Sequence, residues 1–145
     1  MSNDPFDLER FLDAQSSSYE QATAELRAGR KTSHWMWWTF PQIAGLGRSS
    51  TSQRYAISGL DEARAYLAHP ALGDRLRECA RILLDLPDKD AVAVFGDVDA
   101  TKLRSSMTLF AATDPDEPTF SAVLEEYFGG ERDAATTDRL ADVAP

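Results

Sequence analysis

Along most of this chain apolar residues recur at three- and four-residue steps, the period of an amphipathic helix. The strongest stripe is Leu72, Leu76, Cys79, Ala80, Leu83 and Leu84. It predicts a helix from about Leu72 to Leu86, ended by Pro87-Asp88. Phe6, Leu8, Phe11, Leu12 and Gln15 predict a short first helix, with Asp4 as its cap and Pro5 at its first position. Ser16-Ser17-Ser18 offers the next N-cap, ahead of Tyr19, Ala22 and Leu26, and Gly29 stands where a left-handed C-terminal residue belongs. Residues around Ser52 to Ile57 fit one helical turn. Ser58 then caps a helix that carries Leu60, Ala63, Tyr66 and Leu67 inward until His69-Pro70 breaks it. Ala91 to Phe95 suits a short strand, with Val92 and Val94 alternating, and equally one helical turn ending at Gly96. Asp97 or Asp99 caps the helix that follows, through Lys102, Leu103, Met107, Leu109 and Phe110. Phe120, Val123, Leu124, Tyr127 and Phe128 form another, closed by Gly129-Gly130, and a polar helix from Ala134 to Val143 ends the series. The expected fold is all-α, a single compact domain of about seven helices with short connections over residues 1–145, with frayed ends at 1–4 and 141–145.

Composition narrows the partners. At 145 residues and 43% hydrophobic, the chain can bury a sizeable core. Its net charge of −9 and pI near 4.6 argue against nucleic acid and against anionic membranes, since both demand basic surface. One segment departs from that balance. Between Ala28 and Leu60 there is no Asp or Glu, while Arg30, Lys31, Arg48 and Arg54 all fall there. A basic segment in an acidic protein suits a small anionic ligand, and solvated, scattered arginines are the plainer alternative. Cys79 is the only cysteine, so no intramolecular disulfide forms, and its place on an apolar stripe predicts burial as a small hydrophobe. The polar start around Asp4-Pro5-Phe6 lacks the apolar core of a signal peptide, and no apolar run is long enough to span a bilayer. A cytoplasmic location is expected.

Candidate chemistry gathers where the tryptophans do. All three, Trp35, Trp37 and Trp38, fall in Lys31-Thr-Ser-His-Trp-Met-Trp-Trp-Thr-Phe-Pro-Gln42. Neither helix nor strand points all of them the same way, so at least one ring serves a second surface. Lys31 precedes His34 by three residues, which on a helix puts both on one face. His34 is the candidate acid/base and Lys31 the candidate anion holder. Trp35 and Trp37 can wall a planar ring, with Gln42 and Arg48 as polar partners and Lys102, Ser105 and Ser106 as an opposite wall. Each has a structural alternative: a backbone-bonded histidine, core tryptophans, and serines bonded locally to backbone. Gly45-Leu46-Gly47-Arg48-Ser49-Ser50 lacks both nucleotide-binding glycine spacings and is better taken as a turn. The order Lys102 then Ser106 is not that of the S-x-x-K hydrolases, and no G-x-S-x-G elbow exists. His34, His69 and Cys79 have no metal-ligand spacing, so neither a metal nor a cofactor is expected.

Several stretches together carry a family resemblance: Phe6-Asp-Leu-Glu-Arg-Phe11 with Ala14-Gln15, Lys31 through Gln42, Gly45-Leu-Gly47, Tyr66-Leu-Ala-His69-Pro-x-Leu-Gly73 and Lys102-Leu-Arg-Ser-Ser-Met-Thr-Leu-Phe110. The chain resembles the bacterial domain-of-unknown-function family eighteen-ten, sometimes mislabelled calpastatin, over nearly its whole length. The resemblance implies an all-α fold. It implies no activity, and no catalytic residue is carried over from it. One departure is Ala56, where glycine is expected after Tyr55.

The resulting expectation is a protein that binds a planar anionic, nucleotide-like small molecule. Any turnover would be cofactor-free hydrolysis or glycosidic cleavage by His34 and Lys31. The alternatives are a protein-interaction module using an exposed Trp segment, and a structural domain without a small-molecule site. A monomer or weak homodimer is expected.

Overall fold

The apolar stripes become nine helices among residues 4–143, which the computed structural model describes. They are α1 (Glu9–Ser16), α2 (Tyr19–Arg27), α3 (Met36–Thr39), α4 (Ser50–Arg54), α5 (Leu60–Ala68), α6 (Pro70–Asp85), α7 (Ala91–Thr113), α8 (Pro118–Phe128) and α9 (Ala134–Val143). The all-α expectation holds: α3 and α4 are single turns, and the other seven helices match the count from periodicity. Among the described residues the one β feature is a parallel bridge between Ile43 and Ile57. No helix among them is long and apolar enough to cross a membrane.

Local chemistry sets the helix ends. His69 leaves α5 in extended conformation and caps α6 with its own ring, Nδ1 accepting from the Ala71 and Leu72 N–H groups at 3.1 and 3.3 Å. Pro70 occupies the first turn, where no intrahelical donor is needed. The predicted stripe of α6 is buried from Leu72 to Leu83. Gly73 lies directly under the Leu67 carbonyl, where a Cβ would overlap backbone, and this close approach fixes how α5 meets α6. Cys79 is fully buried, and burial pushes its thiol up to about 12, which removes it as a nucleophile.

Two boundaries differ from the pattern. The first helix begins at Glu9 instead of Pro5, because Asp7 takes a positive φ of 54°. Asp4 still caps it from upstream, accepting from the Leu8 and Glu9 N–H groups at 2.7 and 2.9 Å. Ala91 to Phe95 is helical, not extended. Gly96, at φ 80°, kinks the chain and the helix then continues to Thr113. This long α7 packs against α5, α8 and α9, and residues from Leu103 to Ala111 are buried apart from Arg104. This buried second half makes α7 the central element of the packing. Ala56 has no positive φ, and its carbonyl accepts from Arg10 at 2.9 Å. Of the ends expected to fray, residues 1–3 and 144–145 lie outside the described residues.

Candidate functional site

The Trp segment is built on one buried carboxylate. Helix α2 ends with Gly29 at φ 75°, and the N–H of Arg30 returns to the Glu25 carbonyl at 3.0 Å, a Schellman-type closure. The chain reverses and passes over the Glu25 side chain, which is 5% exposed. That carboxylate accepts from the N–H groups of Thr32 (2.6 Å) and Ser33 (2.9 Å), the Ser33 hydroxyl (2.6 Å), Gln21 (2.7 Å) and the Trp35 indole (3.0 Å). Burial pushes the Glu25 pKa up, but the donors, Ser33 and Thr32 foremost, outweigh it and hold the group well below the carboxylate range.

This node separates the three indoles. Trp35 is sealed in the core, 1% exposed, with Phe40 and Phe95 at 6.4 and 6.5 Å between ring centroids. Trp38 is half-buried, donates to Ser18 Oγ at 2.8 Å and lies against Tyr55. Trp37 is also half-buried, and its indole N–H has no acceptor among the described residues. Lys102 Nζ stands 4.3 Å from the Trp37 ring centroid.

Beside Trp37 lies an open groove of about 580 Å³ between α3, the loop after it, α7 and the start of α9. Of the residues singled out in sequence, Trp37, Gln42, Arg48, Lys102 and Ser105 line it. The structure adds Ser49, Ser52, Val98, Thr101 and Asp133. Four of the nominated residues are not brought there. Trp35 belongs to the core, and Ser106 is fully buried with its hydroxyl unpartnered. His34 is exposed and lines no part of the groove. Lys31 and His34 do not share a helix face, because α3 starts only at Met36. Lys31 is also already occupied: its ammonium pairs with Asp99 at 2.8 Å, with the side chain only 9% exposed.

Charge at the groove is arranged around few groups. Asp99, on α7, holds Lys31 through Oδ2 and Lys102 through Oδ1, the latter at 3.3 Å, so two cations share one carboxylate. Arg48 is exposed on the opposite edge. Asp133 Oδ2 accepts from both the N–H (2.9 Å) and the hydroxyl (2.6 Å) of Thr136, which in turn lies 2.8 Å from Ser105 Oγ. A carboxylate only accepts, so the Thr136 proton goes to Asp133 and the Ser105 proton to Thr136. Ser105, 1% exposed in the groove wall, is left with lone pairs and is not an activated nucleophile, since a threonine hydroxyl is no base at neutral pH. The Gly45 turn serves packing: the Arg139 guanidinium lies on Gly45 and donates to its carbonyl at 3.1 Å.

Sequence reasoning missed Glu25, Asp99, Asp133 and Thr136. Only Glu25 left a local signal, since it lies four residues before Gly29, on the turn that also carries buried Ala22 and Leu26.

Comparison with known proteins agrees with the resemblance. The family model described as "Protein of unknown function (DUF1810)" matches residues 5–140. The crystal structure of the conserved hypothetical protein Rv1873 from Mycobacterium tuberculosis is similar at 48% identity and a TM-score of 0.93, over 95% of this chain and 99% of that one. The two share the all-helical fold. No curated protein matches the chain.

Proposed function

This chain belongs to the DUF1810 family of unknown function, and from that premise we propose that the groove beside Trp37 binds a planar, anionic, nucleotide-like small molecule. The observation that carries the proposal is a half-buried indole with no acceptor among the described residues, an ammonium 4.3 Å over its ring, at the wall of a 580 Å³ groove. That volume falls within the roughly 300–1,000 Å³ typical of ligand pockets. Trp37 would stack on the planar part of the ligand, Lys102 and Arg48 would take its anionic group, Gln42 would accept or donate at its edge, and Ser105 would only accept there. The proposal is for recognition alone, because His34 and Lys31 stand apart from the groove.

A thermal-shift panel of AMP, ADP-ribose and small carboxylates tests it. A ligand present at about a hundred times its Kd stabilises the folded state by about 2.7 kcal/mol, a rise of several degrees in Tm. The shift should disappear in Trp37→Ala and Lys102→Ala and survive in His34→Ala. A shift retained by both groove variants would remove the groove from consideration. Val98, 68% exposed where it lines the groove, favours a second reading as a protein-docking face. Concentration-dependent mass without any ligand response would favour that reading.

A further inference from the structure

Building on the groove as an anion site, we propose that Lys102, held by Asp99, is a latch over Trp37 that an anionic ligand displaces more readily than a neutral one, so that the groove selects charged planar ligands. Asp99 is shared unequally. Its bond to Lys31 is the shorter, 2.8 Å against 3.3 Å for Lys102. Lys31 is also the fixed partner: its side chain is 9% exposed, its backbone N–H donates to the Val94 carbonyl at 2.7 Å, and its ammonium lies 5.2 Å from the Trp35 ring centroid. Lys102 is the exchangeable partner. It lines the groove, is 21% exposed, and sits one helical turn from Asp99 on a flexible stem.

Lys102 also covers one face of Trp37. A planar ring that stacks on that face must move the ammonium aside, and moving it breaks both the cation–π contact and the ion pair. A neutral ring offers nothing in return. A ring carrying a phosphate replaces the Asp99 oxygen with its own, and Lys102 keeps a counter-charge while it moves. Asp99 stays in place on Lys31. Lys102 therefore acts as a latch that an anionic ligand opens more readily than a neutral one, and Asp99 sets how hard it is held. Of the other charges around the groove, Arg48 adds to the attraction, while Asp133 is already engaged by Thr136 and lies 3.9 Å from Arg104.

Isothermal calorimetry with AMP and adenosine as the probes decides the matter, on intact wild-type protein, Asp99→Asn and Lys102→Met. All three proteins are checked for native circular dichroism at the working temperature. Wild type should bind AMP about tenfold or more tighter than adenosine. Asp99→Asn should tighten AMP and adenosine alike, each about fivefold, the scale of the one partly exposed ion pair that either ring must break to reach Trp37. Lys102→Met should cut the preference severalfold, to the part that Arg48 supplies, and it still tests the latch if Asp99→Asn does not fold. An AMP affinity unchanged or weakened in folded Asp99→Asn, or a preference undiminished in Lys102→Met, overturns the latch and leaves the groove standing. No AMP binding to wild type or to Asp99→Asn overturns the groove and this inference together.

Discussion

Glu25→Ala is expected to cost the protein about 3–5 kcal/mol, because it leaves the buried Trp35 indole and three part-buried donors with no acceptor. The Trp35 indole, the Ser33 hydroxyl and the N–H groups of Thr32 and Ser33 all point at one carboxylate. Glu25→Gln keeps the shape but sets an amide donor among donors, and a smaller loss of about 1–3 kcal/mol follows. The effect is also pH-dependent, with a definite sign. Glu25 is held below its ordinary 4.5 in the folded protein, so its contribution is complete above that value. It is lost as the pH falls from there through the depressed folded-state value. Urea denaturation at neutral pH and again at about pH 3 should therefore give a wild-type-minus-Gln difference that shrinks on acidification. A loss under about 1 kcal/mol for Glu25→Ala would show that the segment is not organised by this residue.

Trp35→Ala should be comparably severe, about 3–5 kcal/mol, the range for deleting a large aromatic from a packed core. Trp37→Ala should cost much less, since its ring is half-exposed and its N–H has no acceptor among the described residues. Trp35 and Glu25 share a hydrogen bond of 3.0 Å, so the double variant should lose less than the sum of the two single ones. Denaturation midpoints of the four proteins measure both expectations. Equal losses at Trp35 and Trp37 would contradict the division of the cluster into a core ring and a groove ring.

What could be read in sequence followed the range of the forces concerned. The α6 stripe was legible because a helix puts Leu72, Leu76, Cys79 and Leu83 on one face by local geometry alone. The His69-Pro70 break was legible for the same reason, although the ring of His69 as the cap of α6 was not. The length of α7 was hidden by Gly96, which interrupts its periodicity, and from Leu103 to Ala111 by burial on almost every face. At the candidate site, spacing within the tryptophan cluster predicted that the rings must diverge, and they do. It did not tell which ring faces the groove, because that depends on Glu25, ten residues before Trp35 and on another helix. Lys31 drew attention as a cation free for a ligand. Its partner, Asp99, is far along the chain and looked like a helix cap, so the ion pair that occupies Lys31 could not be seen. Gln42, Arg48, Lys102 and Ser105 line one groove, and each lies in a polar cluster next to aromatic or glycine-rich sequence.

The three indole N–H groups offer the most direct test of the groove. Trp35 donates to Glu25 and Trp38 to Ser18, whereas Trp37 has no acceptor among the described residues. Their resonances in a ¹⁵N-labelled protein, assigned by single substitution, can be followed while AMP is added to millimolar concentration. The Trp37 signal should move progressively and saturate, with those of Trp35 and Trp38 nearly still. Three unmoved indoles, or movement confined to Trp35 or Trp38, would contradict a ligand site at the Trp37 groove.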